Sequence, residues 1–166
     1  MSTEIQNATE RILELDEIRN CVANAKTSGK KIVFANGCFD VLHAGHIRYL
    51  NGARELGDLL VVGVNSDRQV AILKGRGRPV LKERERAELV ASLEAVDFVT
   101  IFDEPTVERL LLELRPDIHA KGTDYTEDTV PEREVVRSFG GRVAIVGDPK
   151  NHSTSQMLET LRNKTG

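Results

Sequence analysis

Two of the four histidines in this chain stand three residues apart with a glycine between them. They close the run Asn36-Gly37-Cys38-Phe39-Asp40-Val41-Leu42-His43-Ala44-Gly45-His46. The run follows a short apolar segment and leads into a helical pattern. A helix N-terminus attracts anions through its N–H groups and its dipole. Imidazoles placed beside it can donate hydrogen bonds to phosphate oxygens, and Gly45 lets the backbone approach a ligand closely. The positive helix end disfavours protonation of the rings, whereas a bound polyphosphate favours it. Together these features suit stabilisation of charge on a phosphoryl group in transfer. They do not suit covalent catalysis, because no base–nucleophile pair is evident. A zinc site is disfavoured too, because no third His or Cys has suitable spacing, so no metal ligand is assigned. Cys38 reads first as a small buried residue beside the site.

Other segments share this chemistry. Lys74-Gly75-Arg76-Gly77-Arg78-Pro79 reads as a mobile basic loop suited to phosphate, or as a solvated basic turn. Arg86 lies on a helical pattern, where Glu83 or Glu85 could pair with it. Asp124, in Lys121-Gly122-Thr123-Asp124-Tyr125, could accept hydrogen bonds from ribose hydroxyls or close an Asx-turn. His152-Ser153-Thr154-Ser155-Gln156 opens the last helix, where hydroxyl caps and phosphate binding are compatible.

The elements that must position these residues follow from periodicity. Apolar runs at Ile32–Ala35, Leu59–Val64, Phe98–Ile101, Ile118–Ala120 and Val143–Val146 read as buried strands. Helical patterns cover Ile12–Ala25, Ile47–Leu56, Arg84–Leu93, Thr106–Leu114, Glu132–Phe139 and Ser153–Leu161. Thr129 to Glu132 and Ser153 to Gln156 have capping-box spacing. Such alternation predicts an α/β fold, a doubly wound Rossmann-like parallel sheet of five strands. Ligands of such sheets bind at the carboxyl ends of the strands. That is where the histidine run, Asn65-Ser66-Asp67 and Lys121–Tyr125 fall. Residues 1–29 are read as a tail and helix, and 30–166 as the domain proper.

Composition bounds the rest. The 166 residues fit one domain. A net charge of -3 with 4% aromatics and no Trp argues against nucleic acid as partner. No apolar run reaches the roughly 18 residues of a membrane span, and the polar N-terminus has no signal-peptide core. Two cysteines allow no disulfide framework. The expectation is a cytoplasmic protein.

Gly37 to His46 resembles the GxFDxxHxGH signature of the cytidylyltransferase-like nucleotidyltransferases. Lys74 to Pro79, Lys121 to Tyr125 and Ser153-Thr154-Ser155 are similar to that family's KGxxRP, KGxDY and STT segments. With Ala91–Asp97 and Arg115-Pro116-Asp117, these stretches most resemble the adenylyltransferase domain of bacterial ADP-heptose synthases. The resemblance implies transfer of AMP from ATP, with Mg²⁺, to D-glycero-β-D-manno-heptose 1-phosphate. His43, His46 and Lys74 would be catalytic. Asn36, Gly37, Cys38, Phe39, Asp40, Gly45, Asn65, Asp67 and Arg78 would hold the nucleotide. Lys121, Gly122, Asp124, Tyr125, Ser153, Thr154 and Ser155 would complete that site. It also implies small-molecule partners, a homodimer, and a sugar kinase on a separate chain, since 166 residues leave no room for one. The chain departs from the family pattern at Thr123 and at Pro131-Glu132-Arg133, which border the expected base or sugar site. Two rivals stay open: a cytidylyltransferase acting on glycerol 3-phosphate or another alcohol phosphate, and a non-catalytic nucleotide-binding regulatory module.

Overall fold

Ile32-Val33-Phe34-Ala35 has no polar side, so both faces of the strand it forms must be covered. The computed structural model of the chain describes residues 7–149 and 153–165. In it β1 (Ile32–Gly37), β2 (Leu59–Asn65), β3 (Phe98–Phe102), β4 (Ile118–Lys121) and β5 (Arg142–Ile145) form one sheet, ordered β3-β2-β1-β4-β5. Every pairing is parallel, with Ile32 beside Leu59 and Val33 beside Ile118. The helices are α1 (Leu15–Thr27), α2 (Ala44–Arg54), α3 (Asp67–Lys74), α4 (Glu83–Ala91), α5 (Glu108–Leu114), α6 (Arg133–Ser138) and α7 (Thr154–Lys164). Val33 and Ala35 face a core shared with Leu50 and Ala53 of α2 and Val90 and Ala91 of α4. Ile32 and Phe34 face the other core, with Ile18 and Val22 of α1, Leu110 and Leu111 of α5 and Val136 of α6. The expected doubly wound, Rossmann-like sheet is what forms.

Three local expectations change. Ile12 does not begin α1. It lies extended beside Val99, and the Leu13 amide donates to the Val99 carbonyl at 2.9 Å, so residues before the helix cover the β3 edge. α1 starts later because Glu14 and Glu17 form its capping box. The segment after β2 is not all loop, since Ser66 caps the short helix α3, which carries Lys74 at its end. Thr129 does not cap α6. Its hydroxyl is spent in the Thr126–Thr129 turn, and α6 starts at Glu132 without a side-chain cap.

Two buried polar residues hold the carboxyl ends of the central strands. Arg86 is fully buried and pairs with neither Glu83 nor Glu85. Its guanidinium donates to the carbonyls of Leu81, Cys38 and Asn65 and to the Asp67 carboxylate at 2.9 Å. One side chain thus ties the β1 loop, the end of β2, the start of α3 and the start of α4. His119, in β4, sits 2.9 Å from Asn36 Oδ1. Burial, with the Lys121 charge adding to it, pushes its pKa down to about 3.

Removing one partner from a buried charged pair typically costs about 3–5 kcal/mol. Arg86→Ala should lose ~3–5 kcal/mol of unfolding free energy in urea; a loss below ~1 kcal/mol would show that this knot does not hold the fold. For His119, the unfolded chain binds a proton below 6.5, whereas the folded protein does not until about 3. The unfolded state therefore carries more protons across that window, and stability falls as pH drops through it. His119→Phe should make that fall shallower in pH-dependent denaturation. An unchanged slope would exclude His119 as its source.

Candidate active site

β1 sits beside both β2 and β4, and the chain winds away from it in both directions. That is the switch point of a doubly wound sheet, where the loops at the strand ends part to leave a crevice. A cleft of about 630 Å³ opens there. All the sequence-predicted site residues line it except Asp67, whose carboxylate turns to Arg86 instead.

The loop between β1 and α2 carries the histidines. Phe39 (φ 48°) and Val41 (φ 64°) both adopt left-handed backbone, which L side chains resist. Packing over-determines the conformation. The Phe39 ring is buried, lies edge-on to His46 at 5.3 Å, and sits where a side chain on residue 37 would go: a Cβ there would be 3.1 Å from it. His43 is the N-cap of α2. Its Nδ1 accepts from the Gly45 amide at 3.1 Å, and His46 Nδ1 accepts from the His43 amide at 3.3 Å. The two rings stack at 3.8 Å. Because Nδ1 accepts in both, each neutral ring carries its proton on Nε2. The helix cap therefore sets the tautomer and places the N–H of each neutral ring at Nε2.

Asp40 lines the cleft, and its carboxylate is engaged within the chain. Its side chain is almost fully buried and accepts from the amides of Val80 and Leu81 and from Arg78 Nε at 2.7 Å. Burial pushes its pKa up, but the Leu81 and Val80 amides and Arg78 outweigh that and hold the carboxyl below its ordinary value. The far end of the basic segment is thus pinned rather than loose. Lys74 reaches the cleft from the end of α3. The Thr154 hydroxyl donates to the Asp40 carbonyl at 2.8 Å, docking the start of α7 on the histidine loop. Ser153 caps α7 by accepting from the Gln156 amide. His152 lies outside the described residues.

The β4 side of the cleft holds residues that sequence reasoning passed over. His119 read only as a strand residue, yet it holds the Asn36 amide. Tyr49 donates its hydroxyl to the Ala120 carbonyl at 2.7 Å and lines the wall. The Lys121 ammonium lies 4.5 Å over the Tyr125 ring, and burial lowers its pKa while Glu132 and Asp124 oppose that. Glu132 is itself buried in the cleft wall. Its sequence signals were a capping-box spacing from Thr129, which the fold does not use, and a departure from a family pattern. Burial of Cys38 raises its thiol pKa, and Sγ lies 3.7 Å from Asn65 Oδ1, in keeping with a packed thiol.

With this geometry in hand, the chain can be set beside known proteins. It is 51% identical over 152 residues to "Bifunctional protein HldE" of Geotalea uraniireducens, and 46% identical over 156 residues to that of Geobacter sulfurreducens. These matches cover 92% and 94% of this chain but only 31% and 32% of the relatives. The chain thus spans about a third of the length of these relatives. A solved lipopolysaccharide core biosynthesis protein from Thermoplasma volcanium matches with a TM-score of 0.64 and 31% identity. That match covers 74% of this chain and all of the other. A pantoate-beta-alanine ligase from Francisella tularensis, 17% identical, shares the fold at a TM-score of 0.62, over 86% of this chain and 67% of its own. No helix among the described residues is long and apolar enough to cross a membrane. Residues 34–162, from the middle of β1 into α7, match the cytidylyltransferase-like family model, and the chain belongs to that family of nucleotidyltransferases.

Proposed function

We propose that this chain transfers AMP from ATP to D-glycero-β-D-manno-heptose 1-phosphate, releasing pyrophosphate and giving ADP-heptose. The observation that carries the reading is the paired histidine cap, with two stacked imidazoles whose donors are fixed at Nε2 in a cleft at the sheet's switch point. Similarity to proteins named HldE, and to a lipopolysaccharide core biosynthesis protein, supports a sugar phosphate as acceptor.

The chemistry needs charge management more than proton transfer. A sugar-phosphate oxygen attacks the α-phosphorus in line. The bond from that phosphorus to its bridging oxygen breaks, and pyrophosphate leaves with the electron pair. A phosphate monoester is already nucleophilic, so no strong general base is required. Two polyanions must be brought together, and positioning and neutralisation dominate such transfers. His43 and His46 donate to oxygens on the phosphorus in flight, Lys74 neutralises charge from the β2 side, and the N-terminus of α7 offers amides to the outer phosphates. Arg78 contributes from the loop that Asp40 holds.

Magnesium is the expected companion of ATP. Among the described residues no three His, Cys, Asp or Glu side chains converge as a metal-binding group, and Asp40 is already committed to Arg78 and two amides. The residues present do not build a cage for the ion, and no step here runs through it.

His46→Ala should lose about 10²–10³-fold in kcat, the effect of removing a transition-state donor. Pyrophosphate release with heptose 1-phosphate measures this; near-normal turnover in a folded variant would remove His46 from the mechanism. Lys74→Ala should lower kcat without moving the thermal midpoint. A panel of ATP, GTP and CTP in the same assay tests the base, and a preference for CTP would replace the adenylyl reading.

A further inference from the structure

Glu132 sits in the wall of this cleft without a part in the reaction just described. It is 7% exposed, and its Oε2 is buried with no hydrogen-bond partner. Its backbone carbonyl begins α6 by accepting from Val136, but its side chain caps nothing. Lys121 is the neighbouring cation, yet its ammonium lies over the Tyr125 ring and gives no hydrogen bond to Glu132 Oε2. A buried carboxylate oxygen without a donor is unfavourable, and a donor from outside the chain removes that penalty. The donor is not a phosphate, which a carboxylate repels. The neutral, hydroxyl-bearing part of a substrate can supply one.

Position along the sheet agrees. The histidine loop follows β1; Lys74 follows β2 on one side of it, and Glu132 follows β4 on the other. A substrate with phosphates over the histidines can extend its sugar toward β4. Resting on the function proposed above, we infer that Glu132 is a specificity residue whose carboxylate accepts a hydrogen bond from a substrate sugar hydroxyl. The hydroxyl belongs to the ribose of the nucleotide or to the ring of the acceptor sugar. Lys121 and Asp124 are the other charged groups beside this position, with Tyr125 and neutral His119.

The test compares the wild type with Glu132→Gln and Glu132→Ala. Kinetics are measured with ATP, 2′-deoxyATP and 3′-deoxyATP, and with acceptor sugar phosphates lacking single ring hydroxyls. In the wild type, loss of the critical hydroxyl should raise KM by about 10-fold or more, the effect of a hydrogen bond to a charged group. In Glu132→Ala the intact substrate should lose the same factor, with kcat within about threefold, and discrimination against the deoxy analogue should collapse, whereas Glu132→Gln, which keeps a neutral acceptor, should lose only part of both. Collapse confined to the deoxyATP series identifies ribose; collapse confined to the deoxy acceptors identifies the sugar. The thermal midpoint of Glu132→Gln should be unchanged or higher, whereas a purely structural carboxylate would lower it on removal. Undiminished discrimination in both series overturns the proposal while leaving the transferase reading intact. Absence of wild-type turnover on every sugar 1-phosphate sinks that reading instead. Calorimetric binding of ATP and of the sugar phosphates against their deoxy analogues then decides on Glu132 alone: ratios shared by wild type and Glu132→Ala overturn it, and a ratio lost in that variant upholds it.

Discussion

A guanidinium taken wholly out of water must find a partner for each of its nitrogens, and Arg86 finds them in four segments at once. The carbonyls it gathers from Cys38 and Asn65 are at the carboxyl ends of β1 and β2, where parallel strands run out of mutual pairing. Without that tie, the loop after β1 and the start of α3 would have no common anchor. Asp40 repeats the arrangement with opposite charge one step further out, gathering Val80, Leu81 and Arg78. The Thr154 hydroxyl then takes up the Asp40 carbonyl. The loop after β1, the end of β2 and the starts of α3, α4 and α7 are thus joined by one hydrogen-bonded system around two buried charges. Such a system is rigid because breaking a bond to Arg86 or Asp40 leaves a buried charge less well partnered.

Rigidity matters because the chain as a whole offers polyanions no attraction. A net charge of -3 repels them. Attraction has to be local and oriented, and the histidine cap supplies orientation without needing protonated rings. A capping box usually joins a hydroxyl or carboxylate to backbone amides. Here imidazole nitrogens fill both roles, so the bonds that begin α2 also settle which nitrogen of each ring bears hydrogen. Helix initiation and preparation for chemistry are the same interaction.

The central strands β1 and β2 were legible because each is almost wholly apolar, as a parallel sheet under two helix layers demands; β4 is apolar on one face only, with His119 and Lys121 on the other. The histidine run was legible because residue type, spacing and position after a strand agreed. α3 was not, because Ile72 and Leu73 are largely exposed and its short sequence shows no apolar face to read. Asp40 and Asp67 looked like ligand contacts because a carboxylate in a loop carries no mark of its partner. Their partners, 41 and 19 positions away at Leu81 and Arg86, are fixed only by the tertiary fold. Arg86 misled for the same reason, since local spacing offered Glu83 and Glu85 while burial selected Asp67.

The strained backbone at Phe39 and Val41 shows how those separate facts combine. A left-handed residue other than glycine persists only when its surroundings allow nothing else. Phe39 is fixed by burial of its ring above Gly37 and against His46. Val41 is fixed between Asp40, whose carboxylate and carbonyl are both engaged, and His43, whose ring caps the helix. Each constraint on the loop is therefore also a constraint on a histidine. A relaxed loop could not keep both Nδ1 atoms on their amides. The strain is held in place by the same contacts that set the direction in which the two imidazoles donate.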